Sequence, residues 1–398
     1  MKIIYLHQYF NTPNMPGSTR SYEFAKRLST KGHKVYMITS NWQNKAKDAF
    51  SIEEGINVFW GSIKYSNKMS FFRRICSFIM YIIFSLKIGR KLSCDIIIAS
   101  STPLTVGITA LILKKTKKAK LIFEVRDVWP KLPIAMGVLK SKILIYFSKK
   151  LEKLIYKNSD KIIALSEDMK NEILNTEPYP DKVTTITNLC DIKKFNINKK
   201  NGLIFRKKIL KIKDEPLIVY AGSFGKINNA YYLIEIACEL KKIGSNVKFL
   251  LVGNGYQNSK IRTEIIRLDL LKNKIFLFDY LPKNKLPEVL SAATIVASVF
   301  IDLPEMEMNS ANKFFDGLAA GKPIMLNYGG WQADLIKKNN AGFIIPNNDP
   351  IQASVIIESY INDKDKISAM GNESKRISKN FSIQANFKKL NNIISKIL

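Results

Sequence analysis

The stretch "NSANKFFDGLAAGKPI", Asn309 to Ile324, carries a complete short helix with both ends marked. Asn309 and Ser310 are of the types that cap helix N-termini. Gly321 suits the left-handed residue that ends a helix, and Pro323 prevents its continuation. At about 100° per residue, Phe314, Phe315, Leu318 and Ala319 share one face. Lys313, Asp316, Gly317 and Ala320 share the other. Taken alone, that second face is an exposed Lys313–Asp316 pair stabilising the helix by about 0.2–0.5 kcal/mol. Taken with what surrounds it, the face has a cation, an anion and two small side chains that leave room for a ligand.

Outward from this helix the chain alternates apolar, β-branched runs with helical stretches. "KIIYL", "KVYMITS", "INVFW", "DIIIAS", "AKLIFEV", "DKIIALS" and "KVTTIT" precede a break. "PLIVYAG", "VKFLLVG", "KIFLFDY", "TIVASVF", "KPIMLN" and "AGFIIP" follow it. Runs of this kind, separated by helices, indicate parallel sheets covered on both faces. There are too many for one ordinary doubly wound sheet. The break lies at the basic stretch 195–215, closed by Pro216. The expected fold is therefore α/β, with two parallel-sheet domains at 1–200 and 201–378 joined near 195–215. Residues 379–398, including "FSIQANFKKLNNIISKIL", have helical periodicity and are expected to form a last helix.

A length of 398 residues and 46% hydrophobic content agree with two packed domains. Cys76, Cys94, Cys190 and Cys238 are scattered without CxxC spacing, which argues against a zinc or redox site. "MKIIYLHQYF" reads as a first strand and not as a targeting segment, so cytoplasmic residence is expected. Lys and Arg number 63 against 33 acidic residues, a net charge of +30. Such an excess favours a polyanionic partner: nucleic acid, an anionic membrane or a diphosphate substrate. Nucleic acid is the poorer choice, because aromatic residues do not interleave with the basic runs and no binding motif occurs. A general lysine-rich composition without any patch is the plain alternative.

Ligands of open α/β sheets bind at the carboxyl ends of the strands. "HQYFNTPNMPGSTR" follows the first strand. Its Gly17 and Ser18 precede a helix whose N-terminal amides suit an anion, unless this is an ordinary turn. His7 ends that strand on the ligand side, whereas His33 reads as structural. "EVRDVWP" places Glu124, Arg126 and Asp127 directly after an apolar strand, where charges must pair or meet a ligand. Asp127 is a candidate proton acceptor and Arg126 an anion holder; a local salt bridge is the alternative. "VYAGSFGKIN" offers Gly222, Ser223 and Lys226, and "LVGNGYQ" offers Gly253 and Gly255. Neither is a Walker loop nor a G-x-G-x-x-G fingerprint. No metal-ligand pattern is present, so a diphosphate's charge would be balanced by Lys, Arg and helix amides. Finally, "NKMSFFRRICSFIMYIIFSLKIGRKL", near 70–92, is apolar from Ile75 to Leu86. Arg73, Arg74, Lys87, Arg90 and Lys91 flank that run. It is too short to span a bilayer; it is read either as a helix dipping into an anionic interface or as one buried on the first sheet.

In order along the chain, "YFNTPNMPGSTRSYEFAKRLSTKGHKVYMIT", "EVRDVWP", "ITNLCDIKKF", "YAGSFG", "LVGNGYQ", "SANKFFDGLAAGKPI" and "GGWQADLI" resemble the retaining GT-B glycosyltransferases of family 4. Within the family they look like the bacterial polysaccharide branch with the WbuB-type N-acetyl-L-fucosamine transferases. The resemblance implies two Rossmann-like domains facing across a cleft and a C-terminal helix crossing back to the first domain. It implies a UDP-sugar donor on the C-terminal domain, no cofactor or metal, and transfer with retained configuration. The implied sugar is an N-acetylated hexosamine or deoxyhexosamine. The implied acceptor is a polyprenyl-diphosphate-linked saccharide in O-antigen, capsule or exopolysaccharide assembly. The enzyme would then be peripheral on the inner face of the cell membrane. By position, Asp316 takes the place of the glutamate that holds ribose, and Lys313 falls within reach of the diphosphate. Asn309, Ser310 and Asn312 offer helix-start amides, and Gly17 and Ser18 approach the donor from the first domain. Arg126 and Asp127 stand where relatives carry a histidine–aspartate pair. Two features depart from the pattern: Met308 falls where another glutamate is usual, and Ser223 where an arginine is usual. A nucleotide-sugar epimerase or phosphorylase on the same scaffold is the nearest alternative chemistry, but two histidines supply few acid–base groups.

Overall fold

The computed structural model describes residues 1–41, 47–66 and 69–397. Asn67 and Lys68 of the basic apolar stretch, and Leu398 of the last helix, lie outside the described residues. The chain forms two compact units. Unit 1 comprises Met1–Thr12, Ser18–Thr187 and the residues from Asn386 onward; unit 2 comprises Pro13–Gly17 and Asn188–Ala385.

Unit 1 holds β1 (Lys2–Leu6), β2 (Lys34–Ser40), β3 (Ala49–Glu53), β4 (Ile56–Gly61), β5 (Ile96–Ser100), β6 (Lys120–Val125), β7 (Lys161–Ala164) and β8 (Val183–Thr185). They form one sheet in the order β3-β4-β2-β1-β5-β6-β7-β8. All pairings are parallel except β3 with β4. Every residue of β5, "IIIAS", is buried, as a central strand covered on both faces requires. β3 was not anticipated: "AFSIE" lies on the sheet edge with no fully buried residue, so its sequence lacks the apolar run of its neighbours. The strand order reverses between β1 and β5, which makes their carboxyl ends the switch point where ligands bind in such sheets.

Unit 2 repeats the plan with β9 (Leu217–Ala221), β10 (Lys248–Val252), β11 (Ile275–Phe278), β12 (Ile295–Ser298), β13 (Ile324–Leu326) and β14 (Gly342–Ile344), ordered β11-β10-β9-β12-β13-β14 and all parallel. Its switch point lies between β9 and β12.

Two expectations need correction. Unit 1 ends at Thr187, ahead of the residue-200 boundary, and the basic stretch 195–215 is not a linker. Phe195, Phe205, Leu210 and Ile212 are buried in unit 2, and the Arg206 guanidinium donates to the carbonyls of Ala292 (2.8 Å) and Glu215 (2.8 Å). The lysines of this stretch disguised a packed helical segment. The last helix runs over Ile383–Ile397, within the 379–398 stretch of helical periodicity. From Asn386 it belongs to unit 1, where Phe387, Leu390, Ile393 and Ile394 are buried and the Phe387 ring lies 6.4 Å from that of Phe24.

Candidate active site

In unit 2, the opening helix runs over Asn312–Ala319, with Ala311 as N-cap. Gly321 has φ of 64°, the left-handed terminator its position called for. The start differs from the expectation, because Asn309 and Ser310 are engaged elsewhere. The Asn309 carbonyl accepts from Trp331 Nε1 (2.7 Å), and Ser310 Oγ accepts from the Asn188 amide (3.2 Å). Gly317 is also not a space for ligand. A Cβ there would meet Ile324 Cδ1 at 2.5 Å and Val296 at 3.0 Å, so the residue is small to seat the helix on β12 and β13.

Lys313 and Asp316 do not pair. Asp316 is buried against Lys283, whose Nζ lies 2.5 Å from its carboxylate. Burial raises the Asp316 pKa and Lys283 opposes the rise. Lys283 in turn sits over the Phe195 ring at 5.5 Å, and its backbone amide donates to the Met15 carbonyl (3.1 Å), holding the Pro13–Gly17 segment. Lys313 is 7% exposed. Its Nζ donates to Asn228 Oδ1 (3.0 Å) and lies over the rings of Phe300 (4.1 Å) and Tyr220 (5.1 Å). Among the described residues no carboxylate compensates it, and burial pulls its pKa down to about 7. Asn228 belongs to the segment after β9 and Phe300 to that after β12, so this cation occupies the switch point of the sheet. Gly222, Ser223 and Gly253 lie at the same carboxyl ends. A Cβ on Gly253 would collide with the Gly222 carbonyl, which explains the glycine by backbone packing. Ser223 accepts from Tyr220 Oη through its carbonyl (2.8 Å).

In unit 1, β1, β5 and β6 bring His7, Ser100 and Glu124 to one buried cluster. Arg20 Nε pairs with Glu124 Oε1 (2.7 Å), Ser100 Oγ donates to Glu124 Oε2 (2.6 Å), and Arg20 also donates to the Ile186 carbonyl (2.9 Å). Burial pushes Glu124 upward, but Arg20, Arg126 and Ser100 together hold its pKa below the ordinary value. Arg126 Nη1 lies 3.2 Å from His7 Nε2, and His7 Nδ1 lies 2.6 Å from Ser21 Oγ. Arginine has no acceptor, so Nε2 must offer its lone pair and the proton resides on Nδ1. Burial, reinforced by Arg126, lowers His7 to about 3. His7 is thus a neutral ring that orients Arg126. Asp127 is half-buried beside Thr102; burial raises its pKa, with Arg126 opposing. Gly17 has φ of 113°, and the helix expected from Ser18 begins at Arg20 with Thr19 as cap.

Reading the sequence missed Lys283, Asn228, Arg20 and Ser21. Lys283 follows a strand and a proline, and Asn228 stands in the post-β9 loop; position at a strand's carboxyl end was the available signal. Arg20 and Ser21 lie in the first turn of an amphipathic helix, and nothing local marks them.

The model of Glycosyltransferase Family 4 matches residues 17–194, and that of Glycosyl transferases group 1 matches residues 203–377. The chain is a GT-B glycosyltransferase of the family 4 type. This glycosyltransferase is 22% identical over 283 residues to "Probable glycosyltransferase WbjE" of Pseudomonas aeruginosa, covering 69% of this chain and 68% of that one. Its fold matches that of Anabaena Alr3699/HepE, solved in complex with UDP and glucose, with a TM-score of 0.74 at 15% identity over 100% of both chains. It also matches WaaG, described as involved in lipopolysaccharide biosynthesis, with a TM-score of 0.73 at 13% identity over 98% of this chain and 99% of that one.

Proposed function

We propose that this glycosyltransferase moves a sugar from a UDP-sugar to a polyprenyl-diphosphate-linked saccharide in O-antigen, capsule or exopolysaccharide assembly. The sugar is an N-acetylated hexosamine or deoxyhexosamine, and its anomeric configuration is retained. The observation that carries the reading is Lys313, a buried and uncompensated cation at the switch point of unit 2. A diphosphate supplies the charge that this site lacks. As the bond from the anomeric carbon to the phosphate oxygen breaks, Lys313 stabilises the negative charge arriving there. Asp316, anchored by Lys283, offers its carboxylate to the ribose hydroxyls. The acceptor hydroxyl's oxygen bonds to the anomeric carbon, and its proton passes to Asp127, whose basicity burial has raised. Arg126, oriented by the neutral His7, holds an anionic group of the substrate. No metal or other cofactor enters this scheme. Supporting the donor class, the Anabaena protein was solved with UDP and with UDP-glucose. The WbjE and WaaG likenesses favour a polysaccharide product.

The proposed location is the inner face of the cell membrane, held peripherally. Among the described residues no helix is long and apolar enough to cross a membrane. Helix Phe71–Lys91 buries Ser77, Tyr81, Phe84 and Ser85 on the protein side and leaves Phe72, Ile79 and Ile83 exposed on the other. The buried side packs this helix within unit 1, and the exposed apolar side supports the membrane reading.

The test is a thermal-shift series with UDP-, GDP- and TDP-sugars on the wild type and on Lys313→Ala. Stabilisation by UDP-sugars, weakened about tenfold or more in affinity by the substitution, is expected. Unchanged donor affinity in Lys313→Ala would remove the reading's support.

A further inference from the structure

We infer that unit 1 docks on an anionic lipid bilayer through two helices together, Phe71–Lys91 and Lys142–Asn158. This extends the membrane part of the proposed function and rests on it only for the choice of membrane face. Helices Phe71–Lys91, Val106–Lys117 and Lys142–Asn158 link β4 to β5, β5 to β6 and β6 to β7. These crossovers step across the sheet in one direction, so their right-handedness puts all three on the same side. The middle helix binds both neighbours. Ser85 Oγ lies 2.9 Å from Thr109 Oγ1, and a Cβ on Gly89 would meet Leu113 at 2.5 Å. Gly107 lies directly against Ile155. At one end, Lys117 Nζ donates to the Arg90 carbonyl (2.5 Å) and Lys114 Nζ to that of Asn158 (2.6 Å).

The outer faces of the flanking helices are apolar and exposed. Phe72, Ile79, Met80 and Ile83 on the first, and Ile143, Tyr146, Phe147 and Leu154 on the second, are 50–74% exposed. Helical spacing puts Phe72, Ile79 and Ile83 on one stripe, and Ile143, Phe147 and Leu154 on another. Each stripe lies opposite its helix's buried residues, among them Tyr81 and Phe84 in one and Glu152 and Ile155 in the other.

Charge selects the occupant. Helix Phe71–Lys91 contains no Asp or Glu, and the one acid of Lys142–Asn158, Glu152, is buried. The exposed cations include Arg73, Lys87, Arg90, Lys149, Lys150 and Lys153. A second copy would bring two such cationic faces together. A nucleic acid would leave the Ile and Phe stripes in water. A bilayer with anionic headgroups takes up both, the rings and aliphatic chains entering its interface and the cations meeting phosphates.

The experiment is flotation of the full chain with vesicles of phosphatidylcholine alone, or with about one-third phosphatidylglycerol added. Wild type is expected to bind only the anionic vesicles. Three variants separate the contributions: Ile83→Ser in the first helix, Ile143→Ser with Phe147→Ser in the second, and Lys150→Gln with Lys153→Gln. Each is expected to lower partitioning about tenfold, with unchanged melting temperature and unchanged UDP thermal shift. The charge variant leaves packing untouched and decides the matter if the apolar double variant misfolds. Wild-type partitioning in both second-helix variants overturns the inference, as does dimerisation or nucleic-acid binding through this face without vesicle binding. Vesicle binding without any nucleotide-sugar binding would instead sink the transferase reading and leave the docking surface standing.

Discussion

Lys313 carries a cost that identifies it. Its folded pKa of about 7 lies below the ordinary lysine value, so between the two the unfolded chain binds a proton that the folded chain does not. Stability contributed at this site therefore rises with pH across that window and is lowest at and below its foot. Lys313→Met removes the penalty. At pH 7 the variant is expected to be more stable by an amount on the order of a few kcal/mol, by urea titration, while losing donor binding. The stability difference should shrink as pH rises from about 7 toward the ordinary lysine range. A diphosphate favours the charged amine, so UDP binding at pH 8 should take up a proton. Calorimetry in buffers of different ionisation enthalpy reads that uptake; none should be seen in Lys313→Met. His7 makes the complementary case. Because it titrates at about 3, it is neutral wherever the enzyme works. His7→Gln keeps a group able to accept from Arg126. It should lower kcat/KM by about tenfold or less without moving any limb of the pH profile between 5 and 8; loss of such a limb would make His7 an acid or base.

The helix Asn312–Ala319 shows how far local pattern reaches. Its terminator and its apolar face were legible, because Gly321, Pro323 and the spacing of Phe314, Phe315 and Leu318 are local facts. The purpose of Gly317 was not, because its neighbours Val296 and Ile324 come from two other strands. Gly317→Ala separates the two readings. Helix propensity alone would gain about 1 kcal/mol. The overlap with Ile324 and Val296 should outweigh it, for a net loss of about 1–3 kcal/mol in unfolding free energy. β3 escaped notice for a related reason: an edge strand needs only one partner, so it requires no continuous apolar run.

Across the whole chain, the C-terminal helix belongs from Asn386 to the unit that begins the sequence. Phe387, Leu390, Ile393, Ile394 and Ile397 are at most 9% exposed. At about 1.5–3 kcal/mol for each fully buried side chain, their removal rivals the roughly 5–15 kcal/mol that holds a domain folded. Truncation after Ala385 should therefore open unit 1 to protease, although the deletion lies at the opposite end of the chain. Unit 2 should retain its UDP-induced thermal shift. Equal protection of unit 1 in the truncated and full-length proteins would show that the helix contributes little.

The amino-acid sequence alone determined the α/β class, the repetition of the plan in two sheets, and the places where chemistry is possible. Those follow from hydrophobic runs, turn residues and strand ends, all of which act over a few neighbouring positions. Folding determined which charges meet. Asp316 pairs with Lys283, 33 positions away, and not with Lys313, three positions away. Arg126 is held by His7, 119 positions away. An ion pair in a helix turn is weak in water, whereas burial makes an uncompensated charge expensive, so partners are selected by the packed interior and not by proximity along the chain.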